Sequence, residues 1–329
     1  MKALATILAA AFLGCAVSAS AASGRTYVLW IGSQAFVTRD GSSWRDVTPR
    51  GAVSPRTGAS IDGVVFSGSD EGWLIASNCA SGKGAVYRTH DRGRSWNRHV
   101  FHAHTCAAGA NFVLDVLDRR NAWVVQNEPT GPFARLYRTR DGGSSWRKVS
   151  ESLPDLGTVA FANSAKGWLA GRRLFRTVDG GKTWSRQALA APRGYRGKLR
   201  ALSRMTFFGR TGIVAGEYYR ERDVLAFYRT ADTGRHWRLM STLPGAGPYG
   251  FPQFTMSAVS ASTIWLLTSG AKPVGNVTTD GGRSWLRHPL VQRFFAPVAL
   301  SARVAAASNF HGLPYITRDG GRTWRLLRL

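Results

Sequence analysis

One eight-residue pattern, Thr-x-Asp-x-Gly-x-Ser/Thr-Trp, recurs seven times along this chain. Copies stand at 38–44 (TRDGSSW), 89–96 (THDRGRSW), 139–146 (TRDGGSSW), 177–184 (TVDGGKTW), 230–237 (TADTGRHW), 278–285 (TTDGGRSW) and 317–324 (TRDGGRTW). The first copy is one residue short, and the fifth has His236 in the Ser/Thr place. Self-similarity of this kind is the mark of a repeat architecture in which each unit buries its apolar faces against its neighbours. A short run of aromatic and β-branched residues precedes most copies (AFVTR, AVYRT, RLFRT, AFYRT) and reads as a strand. Asp-Gly-Gly then turns the chain. The carboxylate accepts hydrogen bonds from the turn's own N–H groups, glycine supplies positive φ, and the Thr hydroxyl adds one more bond. The Trp opens the next strand and carries a large ring inward. The structural residues are therefore Asp40, Asp91, Asp141, Asp179, Asp232, Asp280 and Asp319, with Trp44, Trp96, Trp146, Trp184, Trp237, Trp285 and Trp324.

A second element precedes most hairpins: VVFSGSDEGWLIAS at 64–77, FVLDVLDRRNAWVVQ at 112–126, VAFANSAKGWLAG at 159–171 and FTMSAVSASTIWLLTS at 254–269. Each is an apolar strand, a turn and another apolar strand. Runs apolar on both faces suit strands sandwiched between neighbouring sheets. The unit is then four strands, A to D, with the Asp turn between C and D. Setting aside about 21 residues at the start leaves about 44 per unit, the size of a propeller blade. The expectation is an all-β fold, a single seven-bladed β-propeller of four-stranded antiparallel blades over residues 22–329. The first unit has too little chain upstream for an A strand, so blade one is expected to have three strands unless closure borrows one. This topology puts the A→B and C→D turns on one face and the B→C and D→A loops on the other.

The Thr-x-Asp-x-Gly-x-Ser/Thr-Trp hairpin resembles the Asp-box, or BNR repeat. Joined to Gly72-Trp73-Leu74-Ile75-Ala76 and Gly167-Trp168-Leu169-Ala170-Gly171, it is similar to the photosystem II stability/assembly-factor-like propellers across residues 25–329. That resemblance implies an exported, non-enzymatic, protein-binding module, an assembly or stability factor for an envelope or membrane complex. The motif is architectural, so it speaks to fold more than to function.

Sialidases and some endoglucanases also carry Asp-boxes, which keeps a glycan-binding or glycoside-hydrolase reading as the alternative. The acids argue against it. Only 19 residues are Asp or Glu, and seven of them are box residues. The others mostly sit beside Gly, Ser or Arg and read as solvated; Tyr218-Tyr219-Arg220-Glu221 is the nearest approach to a Tyr/Glu pair. The sialidase Arg-Ile-Pro segment is absent. No catalytic residue is assigned, and the chain is read as not an enzyme. Scattered histidines, including His102 and His104, give no metal site, and no cofactor is expected.

Residues 1–21 read as a secretory signal peptide: Met1-Lys2, an apolar run at 3–14 and Ala19-Ser20-Ala21 as the cleavage site. A lipoprotein signal ending at Cys15 is the second reading. Export to the periplasm or beyond leaves Cys79 and Cys106, in two loops of one face at blade two, as a disulfide pair, with two free thiols as the other outcome.

The formal net charge is +25. Two basic loops are expected to adjoin on the long-loop face: the connection of blades four and five, with Arg193, Tyr195, Arg196, Lys198 and Arg200, and the B→C loop of blade five from Tyr218 onward, with Tyr218, Tyr219, Arg220 and Arg222. Arg interleaved with Tyr suits carboxylate or phosphate. These nine residues are the candidate partner-binding set. Export disfavours nucleic acid, so the expected partner is a protein with an acidic surface, or an anionic envelope lipid or glycan, met by a monomer.

Overall fold

The computed structural model describes residues 26–31, 33–53, 59–78, 83–101, 111–127, 134–195, 197–219, 223–245 and 254–329. Cys15, Cys79, Cys106, His102 and His104 lie outside these residues, as do Arg196, Arg220 and Arg222.

The described residues form 28 strands in seven antiparallel sheets, and no helix. Blade two shows the plan. Its A strand (Ala59–Ser67) pairs with B (Glu71–Asn78), B with C (Lys83–Thr89) and C with D (Asn97–Phe101). The B strand is buried almost throughout because blades cover both its faces. Blades three, four, six and seven repeat the order, each with four strands. The A strands of blades two, three and four touch in turn, as do those of blades six and seven, which places them on the inner ring.

Among the described residues blade one has three strands: Tyr27–Ile31, Gln34–Thr38 and Arg45–Asp46. The ring closes on it through side chains. Leu29 packs with Val298, Leu300 and Ala306 of blade seven. Tyr27 donates its hydroxyl to the Leu300 carbonyl at 3.2 Å, and Arg318 donates to the Gly41 carbonyl at 2.7 Å. Among the described residues no strand is exchanged between first and last blades.

Blade five departs from the plan. Its inner strand breaks into Lys198–Leu202 and Thr206–Phe208, both paired to a long B strand, Thr211–Tyr219. Strand pairing runs Leu199 to Tyr218 and then Ala201 to Glu217, which leaves Arg200 as a bulge residue.

The box turns follow one scheme. In blade six Asp280 Oδ1 accepts from the Thr278 hydroxyl (2.7 Å) and from the N–H groups of Arg283 and Ser284 (2.9 and 3.0 Å). Its Oδ2 accepts from the Ser284 hydroxyl (2.6 Å), and Thr278 Oγ1 in turn accepts from Gly282 N–H (3.0 Å). These bonds favour the ionised carboxylate. The Ser284 hydroxyl and N–H hold Asp280 well below the usual range, and those of Ser145 hold Asp141 at about 2. In blade five the His236 ring stands in for the missing hydroxyl, with Nδ1 2.6 Å from Asp232.

Each box is also tied to its surroundings. In blades two to seven an N–H of the box turn donates to a carbonyl of the same blade's A→B turn, at 2.8–3.0 Å. Both turns therefore share one face, the box face. Box glycines meet the preceding blade: a Cβ on Gly282 would lie 2.2 Å from the buried Phe227 ring. The arginine before the box Thr reaches forward. Arg138 stacks over Trp123 at 4.7 Å and donates to Ser164 of blade four, while Arg88 lies over Trp73 and donates to Gly142 of blade three. Trp123 stacks on Phe161 of blade four, with ring centroids 3.8 Å apart. The seven box tryptophans are half-buried, and Trp96 and Trp285 bond back to the preceding blades through Val47 and Ser241.

Candidate functional site

Blade five gathers the two basic segments into one structure. Lys198 pairs with Tyr219 and Leu199 with Tyr218, so they are neighbouring strands rather than two loops. The B strand runs on through Tyr219, a correction to the loop expected from Tyr218 onward. Arg200 lies over the Tyr219 ring at 5.2 Å, a cation–π contact. Tyr219 is 44% exposed, and Lys198 and Arg193 are exposed. Tyr195 packs edge-on against Tyr218 and donates to its carbonyl at 3.2 Å.

Tyr218 does not belong to the surface. It is buried; its hydroxyl lies 2.7 Å from that of Tyr228, which donates to the Ala190 carbonyl. A side chain one place along a strand from an exposed one points to the opposite face, and here that face packs on blade four. The described surface set is therefore Arg193, Tyr195, Lys198, Arg200 and Tyr219.

Several acids read as solvated are buried instead. Glu71 sits among Arg88, His90 and Arg119 on the box face, at 3.5, 2.8 and 3.4 Å. Glu217 is fully buried, and Asp223, also in blade five, is buried as well. Asp62 and Asp115 lie on inner strands and bridge blades. Asp115 accepts Phe161 N–H at 2.8 Å and faces Arg204, which reaches from blade five to blade three and also donates to the Leu114 carbonyl at 2.7 Å. Burial pushes Asp115 upward against the pull of Arg204. Asp62 is a bulge residue between Ile61 and Gly63. Burial pushes its carboxyl up to about 7, opposed by bonds from Ser77 and the Phe112 N–H. The sequence hid these roles because a bulge and a ring contact depend on the partner strand, not on neighbours in the chain. Among the described residues no group of three or more His, Cys, Asp or Glu is placed to hold a metal.

A propeller built from Asp-box hairpins, with a cationic aromatic patch on its long-loop face, is the class of protein this geometry defines. Comparisons with known proteins agree on the Asp-box propeller fold. The BNR/Asp-box repeat model matches residues 315–326. No curated protein matches the chain. Among solved structures it is similar to YCF48 bound to D1 peptide, at 18% identity and TM-score 0.56, covering 83% of this chain and 84% of that one. It is similar to YCF48 from Cyanidioschyzon merolae, at 17% identity and TM-score 0.54, covering 84% and 87%. It is also similar to the GH74 xyloglucanase from Xanthomonas campestris, at 15% identity and TM-score 0.60, covering 94% of this chain but 55% of the enzyme. Likeness at such identities establishes the fold alone.

Proposed function

We propose that this is an exported, non-enzymatic propeller that binds an acidic segment of a protein partner, as an assembly or stability factor for an envelope complex. The observation that carries it is the blade-five patch. Arg200 is thrust out of register by the bulge and lies against the exposed Tyr219, with Lys198, on the same strand as Arg200, paired opposite Tyr219. Bulges re-aim side chains in this way at functional sites. A guanidinium on an aromatic ring presents its fork edgewise to a carboxylate. The solved complex of YCF48 with a D1 peptide supports a peptide as the ligand class. The test is affinity capture from the native envelope, comparing the wild type with a variant carrying Arg193→Glu, Lys198→Glu and Arg200→Glu. Recovery of a defined partner by the wild type and its loss in the variant is expected. Equal recovery removes this patch from the account.

A second reading, a glycan-active propeller, is favoured by the likeness to the xyloglucanase and by Asp62, an inner-strand carboxyl that keeps its proton close to neutral pH. A panel of chromogenic glycosides and a glycan array test it. Silence on both eliminates it.

A further inference from the structure

Blade seven shows a different kind of surface. Two long-loop-face segments meet there: 290–293, leading from blade six into the inner strand Phe294–Ala299, and 310–313, joining Ala305–Asn309 to Pro314–Thr317. Val291 is 92% exposed, Phe310 58% and Leu313 46%. Scattered exposed apolar residues are ordinary, but three on two touching loops make a patch.

The loops are built to present these side chains. Asn309 holds both: its Nδ2 donates to Gln292 Oε1 at 3.1 Å, and its Oδ1 accepts from the N–H groups of His311 and Leu313 at 3.0 and 2.9 Å. Gly312 closes the turn at φ 72°, donating to the Asn309 carbonyl. Phe310 leans on Phe295, with centroids 6.5 Å apart, and its outer side stays open. Ordering is thus met by the fold and not by a ligand.

Within blades six and seven the charge on this face has one sign, and in the adjoining blade one Asp46 accepts from the Gln34 amide at 3.1 Å. From residue 254 to the end only Asp280 and Asp319 are acidic, and both are locked into box turns on the opposite face. Lys272 and Arg293 are exposed on the long-loop face beside the patch, and Arg293 is oriented by the Gly270 carbonyl at 3.2 Å. The strands flanking 310–313, Ala305–Asn309 and Pro314–Thr317, are paired on both sides within blade seven, so that loop offers no free edge for strand addition. The apolar tips of the patch stand on loops outside those strands. Projecting apolar side chains with exposed cations at their rim match the boundary between headgroups and acyl chains of an anionic bilayer.

We infer that the long-loop face of blades six and seven docks on an anionic membrane surface, with Val291, Phe310 and Leu313 entering the interface and Lys272 and Arg293 meeting lipid phosphates. This surface is distinct from the blade-five patch. The two would bring the propeller to a bilayer and to a protein partner on the same side.

The test is co-sedimentation of the full chain with vesicles of phosphatidylcholine alone and of phosphatidylcholine mixed equally with phosphatidylglycerol. Binding to the anionic vesicles that weakens with salt is expected. A variant with Val291→Ser, Phe310→Ser and Leu313→Ser keeps every charge and should bind at least about tenfold more weakly. Its urea midpoint shows whether it is folded, and it should still capture the protein partner, so failure here is separable from failure of the blade-five reading. Should the Ser variant unfold, Lys272→Glu with Arg293→Glu makes the same comparison, again with a large loss expected. Absence of vesicle binding by the wild type, or equal binding by the wild type and a folded variant, overturns the proposal. Capture of an acidic peptide that depends on Phe310, without vesicle binding, also overturns it and assigns the patch to a protein.

Discussion

The two faces of the propeller carry similar cations but different anions. On the box face the exposed Arg39, Arg94, Arg140, Arg235, Arg283 and Arg322 are interleaved with seven ionised box aspartates. Arg88, Arg138 and Arg318 are further committed to the neighbouring blade. Residues 254–329 add no acid to the long-loop face, where Lys272 and Arg293 are exposed. A whole-chain charge of +25 therefore understates one face and overstates the other. Box-face arginines such as Arg88 and Arg138 tie neighbouring blades together, while Lys272 and Arg293 are exposed on the long-loop face.

If that division is right, the box-face layer is where substitutions damage the fold. Trp123→Ala removes the stack on Phe161 and the platform under Arg138, and is expected to cost about 4 kcal/mol in urea unfolding. Gly282→Ala drives a methyl into Phe227 at φ 88° and should cost about 3 kcal/mol. Gly312→Ala, at φ 72° on the opposite face but with no atom nearer than 3.8 Å, should cost about 1 kcal/mol. Equal losses at the two glycines would erase the contrast.

Acidity separates two sets of carboxyls. Asp141 titrates at about 2, below its unfolded value, so its contribution is complete above about pH 4 and is lost as pH falls through 2. Asp62 titrates at about 7, above its unfolded value, so the folded state holds the extra proton and stability falls as pH rises from about 4 to 7. Thermal unfolding of Asp62→Asn should lack that fall, whereas Asp141→Ala should approach the wild type only near pH 2. An unchanged slope for Asp62→Asn would show that the carboxyl is solvated.

Thr233 takes the left-handed conformation at φ 58° where other boxes have glycine. Such a geometry is costly for a β-branched residue, so Thr233→Gly should stabilise by about 1 kcal/mol. Arg92, at φ 61°, is the parallel case, but its side chain bonds Ser69 and Asp70, so Arg92→Gly should gain less. The smallest effect is expected at the blade-five patch: Arg193→Glu with Lys198→Glu should leave the urea midpoint within about 0.5 kcal/mol. A larger loss would place these cations in the scaffold.

Much of this architecture was legible in the chain. Seven box turns fixed the blade number, because Thr, Asp, Gly and Ser/Thr complete their bonds within a few residues of one another. Three strands were legible in the first unit, and among the described residues its sheet has three. Alternation and turn chemistry sorted the loops by face. The site was only partly legible. Lys198, Arg200 and Tyr219 stood out by type, yet their pairing, and the burial of Tyr218 beside them, depended on which strands became neighbours.

The sequence by itself determined the repeating hairpin, the number of blades and which turns share a face, since each follows from local hydrogen bonding and from a side-chain period of two. Tertiary structure alone decided which charges are available. Arg138 is held against Trp123 and Ser164, Asp62 is sealed at a bulge, and Arg204 crosses from blade five to Asp115 of blade three. The physical reason is that a charge is tamed by whatever stands within a few ångströms of it, and around a closed ring those neighbours come from other blades.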